Sequence, residues 1–256
     1  MTSFGKLFKV MGRDKFRVVN LIMVVELLAV AVSLVWTLIM GHMTSMGFFG
    51  SVSGWSGMAY LAGFILIARE AEQAFTRDTY RLIPAKDSSF YLANLVSSFV
   101  LFFYLVLLQA ALHLIGIVVA WKPISQGLNG VIVHSGSIDW GQVFQVGGML
   151  TLLVLAAFVL ALTTITLVHL TVSVTNNFLP VAGKRLIDFI LYIVVIVLVI
   201  RVGGYLLGQV NQLTTTFNTQ GLGNIGIPLL GIVLLIVLES LLNVFMMKRW
   251  VETVAN

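Results

Sequence analysis

Six stretches of this chain are long enough and apolar enough to cross a lipid bilayer, and that constrains its fold more than any motif in it. A spanning helix needs about 20 mostly apolar residues. The runs fall at about 18–40, 51–68, 89–120, 143–172, 186–206 and 225–247. Charged residues are only 10% of the chain and hydrophobic ones 59%, against roughly 25% charged in soluble domains. A water-facing surface cannot be covered with that composition. The expected fold class is therefore an all-α membrane protein with six transmembrane helices. No polar stretch exceeds about 25 residues, short of the ~50 that an independent domain needs, so no separate soluble enzyme domain is expected.

The distribution of basic residues predicts the orientation. Lys6, Lys9, Arg13, Lys15 and Arg17 precede the first run. Arg69, Arg77, Arg81 and Lys86 lie between the second and third, Lys184 and Arg185 between the fourth and fifth, and Lys248 and Arg249 after the sixth. The alternate connections hold only Lys122. Basic residues collect on the cytoplasmic side, which predicts both ends inside. The same rule accounts for the net charge of +5 without nucleic acid.

The expected organisation is a cytoplasmic-surface helix over 1–17, a six-helix membrane domain over 18–247 and a short cytoplasmic tail over 248–256. In the first segment Phe4, Leu7, Phe8 and Met11 fall on one helical face, away from Lys6, Lys9 and Arg13, as in a helix lying on the membrane. The plainer alternative is a basic topology signal. The apolar run from Val18 outlasts the 7–15 or so residues of a signal peptide's core, so it is read as a retained first span.

Much chemistry is missing. The chain has no cysteine, which excludes disulfides and thiolate metal sites. It has no GxxxxGK[ST] phosphate loop, no HExxH zinc helix and no GxSxG nucleophile elbow. His42, His113, His134 and His169 lie on different segments without ligand spacing. No catalytic residue, metal or cofactor is expected on this chain, and it is not read as an enzyme.

Ionisable groups within a span are costly and tend to face protein or water. Glu26 lies about eight residues, roughly 12 Å, into the first run, and Glu239 lies at a similar depth in the sixth. With His169, near the end of the fourth, they are candidates for one polar cluster. It would serve as a gating latch or a proton or substrate contact, or simply as satisfied packing groups. Arg201, in the outer part of the fifth run, can snorkel to the interface or meet an anionic headgroup or substrate. Asp188 suits an ion pair with Lys184 or Arg185, or the positive end of a helix dipole.

The connection from Arg69 to Ser89 reads REAEQAFTRDTYRLIPAKDSS. Ala71, Phe75 and Leu82 lie near one helical face, with Arg69, Glu70, Glu72, Arg77, Asp78 and Arg81 around it. Pro84 stops the helix, and Asp87 or Ser88 can cap the next. A short mixed-charge helix between two spans suits docking on a cytoplasmic partner, or is a solvated loop. From residue 80 the string YRLIPAKDSSFYLANLV resembles the stretch before the third helix of ABC-2-type transporter permeases. There a helical segment meets a Leu-x-Pro turn, then polar residues and an aromatic helix start, roles taken here by Leu82, Pro84, Lys86, Asp87, Phe90 and Asn94. The family often carries a Lys a few residues into that helix, where Asn94 or Leu95 stands here. The surface helix, six spans, inward ends and chain length agree with the family along the whole sequence.

The resemblance implies a permease subunit that pairs with a second permease subunit, as homodimer or heterodimer, and with a separate ATPase carrying ATP and Mg. The segment Arg69–Pro84 would be the main coupling helix, 175–185 a lesser contact, and the Gln-, Asn- and Thr-rich stretch over 207–226 an outer gate. The implied cargo is a hydrophobic, lipid or peptide substrate exported across a bacterial cell membrane. Two other readings stand beside it: a proton-driven secondary transporter using Glu26, Glu239 and His169, and a non-transporting membrane protein such as an immunity or scaffold protein.

Overall fold

The computed structural model describes residues 3–42, 44–76, 85–127, 140–176 and 223–251, together with seven residues of the segment 190–208. Five long helices carry the architecture: α1 (Phe4–Ile39), α2 (Ser45–Thr76), α3 (Asp87–Val119), α4 (Trp140–Asn176) and α5 (Gly223–Met246), closed by a π-helical turn at Met247–Val251. Among the described residues there is no strand. All five helices are long and apolar enough to cross a membrane. They correspond to the first, second, third, fourth and sixth apolar runs. The fifth run is described only at Ile190, Ile193, Val194, Val197, Arg201, Gly204 and Gly208, all helical and exposed. Asp188 and most of 175–185 and 207–226 lie outside the described residues.

Two compact units divide the chain, and α3 contributes to both: its residues through Leu95 belong to one, and those from Val96 to the other.

The first unit holds α1 from Gly5, α2, and α3 from Val96. Residues 4–17, expected as a separate surface helix, are the opening turns of α1. The reason lies in the register. Leu7 and Met11 continue without a break into Lys15, Val19, Ile22, Glu26 and Val30, all buried on one stripe, and a face that stays in phase favours one helix over two. Phe4, from the same apolar face, is exposed. At 36 residues, α1 is about 54 Å long, beyond the ~30 Å hydrocarbon core.

Cross-helix pairs fix directions inside this unit. Lys15 meets Ser97, Asn20 meets Tyr104 and Glu26 meets Gln109. The numbers rise together, so α1 and α3 run parallel. Helix α2 runs against both. Trp55 donates to Ser33 at 2.9 Å toward one end of α1, and Glu70 acts electrostatically on Lys15 toward the other. Gly63 packs against Leu105, and Gly116 of α3 against Phe49. Small residues at such crossings let helix backbones approach.

The α1–α2 turn is tight. Gly41 takes φ 70°, a left-handed conformation that suits a helix C-cap. Its N–H donates to the Leu38 carbonyl at 3.1 Å, and the His42 N–H to that of Thr37 at 3.0 Å. Thr44 then caps α2, its hydroxyl accepting from the Gly47 N–H at 3.0 Å, the usual bond to the third helical residue. At α3 the Lys86 carbonyl takes the first helical bond, from Phe90 at 2.9 Å. Asp87 begins the helix, a carboxylate where the dipole favours one.

The second unit holds the start of α3, α4 from Val143, and α5 with its π turn. Thr163 and Thr164 meet Glu239, Thr163 meets Asn243, and Thr171 meets Met246. Again the numbers rise together, so α4 and α5 run parallel. Tyr91 joins α3 to this pair through Ser240 and Asn243. The outer faces of both units are clad in large apolar side chains such as Leu28, Ile39, Val118, Leu152, Leu234 and Leu241, a surface fitted to lipid.

Candidate functional site

Among the described residues, three polar groupings interrupt these apolar interiors. In the first unit Lys15 is 1% exposed. Its ammonium donates to the Ser97 hydroxyl at 2.8 Å, and Ser97 and Ser98 are both fully buried. The Glu70 carboxylate supplies an opposite charge. A buried ammonium without hydrogen bonds and counter-charge would be very costly, and here each of the three helices provides one member. Glu70 belongs to the charged end of α2, so the first part of the expected coupling segment is built into this junction.

Deeper along α1, Glu26 is 4% exposed. Gln109 of α3, fully buried, donates its amide Nε2 to Glu26 Oε2 and lies 3.6 Å from Met23 Sδ. One turn further along α3, His113 Nδ1 is 2.8 Å from the Gln109 carbonyl. That contact places the hydrogen on Nδ1, because a carbonyl only accepts.

In the second unit Glu239 accepts from Thr163 at 2.6 Å and from Thr164 at 3.0 and 2.9 Å. The Thr163 hydroxyl has one hydrogen and also lies 2.9 Å from the Leu160 carbonyl. Asn243, fully buried, spends both amide hydrogens, on Tyr91 Oη at 3.1 Å and on the Thr163 carbonyl at 3.0 Å. Tyr91 in turn donates to Ser240 at 3.3 Å.

Of the three candidates for one polar cluster, Glu26 belongs to the first compact unit and Glu239 and His169 to the second; Glu26 is bonded to Gln109, and Glu239 to Thr163 and Thr164. His169 is half-buried on α4, six residues beyond Thr163, and the Glu239 oxygens go to the threonines. Arg201 is helical and exposed. Of the expected coupling residues, Arg69 is exposed and Glu70, Glu72 and Phe75 are half-buried at the end of α2. Arg77, Asp78, Arg81, Leu82 and Pro84 lie outside the described residues.

Sequence reasoning missed Lys15, Ser97, Gln109, Tyr91, Thr163, Thr164 and Asn243 as interior polar groups. For Lys15 the signal was available: it stands four residues after Met11 and four before Val19, on the apolar stripe itself. Gln109 and Asn243 are amides inside apolar runs, where an unpaired amide is expensive.

Together the long lipid-fitted helices and the hydrogen bonds that join them through interior polar groups define a multi-pass α-helical membrane protein. No family model, no curated protein and no solved structure matches the chain. Among the described residues no group of three or more His, Asp or Glu side chains could hold a metal ion.

Proposed function

We propose that the chain is the membrane-spanning permease subunit of an ABC transporter, exporting a hydrophobic, lipid or peptide substrate across a bacterial cell membrane. In this reading it has six spans with both ends cytoplasmic and pairs with a second permease subunit. A separate ATPase, carrying ATP and Mg, docks on the segment Arg69–Pro84.

The observation that carries the reading is the continuity of α2 from Ser45 to Thr76. The charged residues Arg69–Phe75 are the rigid end of a spanning helix rather than a slack loop. Glu70 on that end acts on Lys15 of α1, which is bonded to Ser97 of α3. A push at the end of α2 would therefore reach three helices. An ATPase can drive a permease only through contacts that differ between its two states, and a stiff lever joined to a buried charge transmits such a difference as rigid-body motion. The parallel course of α4 and α5 supports the six-span count. Two spans running the same way need an odd number of crossings between them, and the run over 186–206 is the one available.

The test is co-purification from the native host in mild detergent. A Walker-motif ATPase recovered in near-equal amount supports the reading, and its reproducible absence from folded, monodisperse protein removes it. Reversing Arg77 and Arg81 to Glu should cut ATPase recovery at least several-fold while insertion is unchanged. A proton-coupled secondary transporter is the second reading, favoured by the buried carboxyl group of Glu26 and the half-buried one of Glu239. It predicts uptake or export that follows a pH gradient without any ATPase.

A further inference from the structure

We propose that Glu26 and Gln109 form a proton-binding site in the interior of the first unit, a carboxylic acid closing a two-bond ring with a carboxamide. The inference does not rest on the transporter reading.

The argument is a count of donors and acceptors. Gln109 Nε2 donates to Glu26 Oε2. That leaves Glu26 Oε1 and Gln109 Oε1, both buried and both without a hydrogen-bond partner among the described residues. A carboxylate oxygen and an amide oxygen are acceptors only. With Glu26 ionised, two lone-pair-bearing oxygens of one side-chain pair would remain unsatisfied in an apolar interior. A single proton on Glu26 Oε1 turns that oxygen into a donor, with Gln109 Oε1 as its acceptor, and both are then satisfied. The count holds for either orientation of the amide, because a carboxamide presents one donor and one acceptor edge to a carboxyl group.

The surroundings suit a proton better than a larger cation. The third neighbour is the Met23 thioether, 3.6 Å from Gln109 Nε2, a weak acceptor and a poor ligand for a hard ion. Among the described residues, the titratable groups that bear on Glu26 are His113 of α3 and Tyr60 of α2. Helix α1 carries no other charged residue from Val18 to Ile39. The site also joins α1 to α3, so its proton occupancy governs that seam. Occupied, the pair is closed by two bonds; emptied, one bond remains and two oxygens repel.

The experiment is infrared difference spectroscopy of the lipid-reconstituted wild-type protein with E26Q, E239Q and Q109A, at neutral pH with hydrogen–deuterium exchange. A carboxylic-acid C=O band is expected in the wild type, kept in E239Q, lost in E26Q and moved to higher frequency in Q109A. E26Q should keep the wild-type Tm, since two amides close the same ring without a proton. Identical acid bands in wild type and E26Q would overturn the proposal. So would carboxylate bands that vanish in E26Q and shift in H113Q, which would put the proton on His113. Should E26Q fail to fold, Q109A decides: a shifted acid band supports the site and an unshifted one overturns it.

Discussion

The ammonium of Lys15 and the hydroxyl of Ser97 lie 2.8 Å apart with both side chains essentially excluded from the surface, fastening α1 to α3 near the end where α2 brings Glu70. Lys15 is buried and Glu70 half-buried, and removing one charge of such a pair leaves the other without its counter-charge, which costs more than removing both. Lys15→Met should therefore destabilise the protein by about 1–3 kcal/mol, the range of ordinary single substitutions at buried polar sites. Adding Glu70→Gln should recover part of that loss, giving a coupling of about 0.5–3 kcal/mol in a double-mutant cycle. Thermal unfolding in detergent reads all four proteins. Additive losses would mean that Glu70 does not compensate Lys15.

Asn243 supports a second fastening. Its amide hydrogens go to Tyr91 and to the Thr163 carbonyl, so one side chain on α5 holds α3 and α4 together. Asn243→Leu fills similar space but removes both interhelical bonds. A loss of about 1–2 kcal/mol is expected, in line with interhelical hydrogen bonds in membranes and buried unsatisfied groups. Tyr91→Phe should cost less, because Asn243 keeps its bond to Thr163. The two thermal midpoints, compared in the same detergent, check the order, and a larger loss in Tyr91→Phe would refute this apportioning.

What the sequence made legible was set by length and phase. Long apolar runs have one stable form in lipid, since every backbone group must bond within its own helix, and the five runs that the described residues cover are long helices. Side-chain partners were another matter. Lys15 and Ser97 are 82 positions apart, Glu26 and Gln109 83, and Tyr91 and Asn243 152, and nothing local announces such pairings. The burial of Lys15 could have been read from its place on the Leu7–Met11–Val19 stripe. Charge counting filed it instead with the surface basic residues. The partners of Glu26 and Glu239 were not legible either, because depth in a span says nothing about which helices are neighbours.

Glycines on α2 offer a packing test with an internal control. A Cβ at Gly63 would run into the side chain of Leu105, which is fully buried on α3. At Gly57, on an exposed position of the same helix, a Cβ meets nothing within 4 Å. Gly63→Ala should cost about 1–3 kcal/mol from overpacking. Gly57→Ala should be neutral or stabilise by up to ~1 kcal/mol through helix propensity. Leu105→Ala added to Gly63→Ala should recover part of the loss, because the two side chains compete for one space. Unfolding midpoints of the single and double variants would decide it, and equal effects at both glycines would argue against the close α2–α3 crossing.

The orientation is open to a direct measurement because the chain contains no cysteine, so a single introduced thiol reports alone. Lys86 and Gln126 are both exposed and lie just outside opposite ends of α3. Helix α3 has 33 residues, about 50 Å at 1.5 Å per residue, enough to put those positions on opposite sides of a bilayer. The clustering of basic residues before α3 predicts Lys86 in the cytoplasm and Gln126 outside. In intact cells a membrane-impermeant thiol reagent should label Gln126→Cys fully, and should reach Lys86→Cys only after permeabilisation. The reverse pattern would invert the whole topology and put the end of α2, with Arg69 and Glu70, where no cytoplasmic ATPase could reach it. Labelling of both positions in intact cells would mean that α3 does not span the membrane.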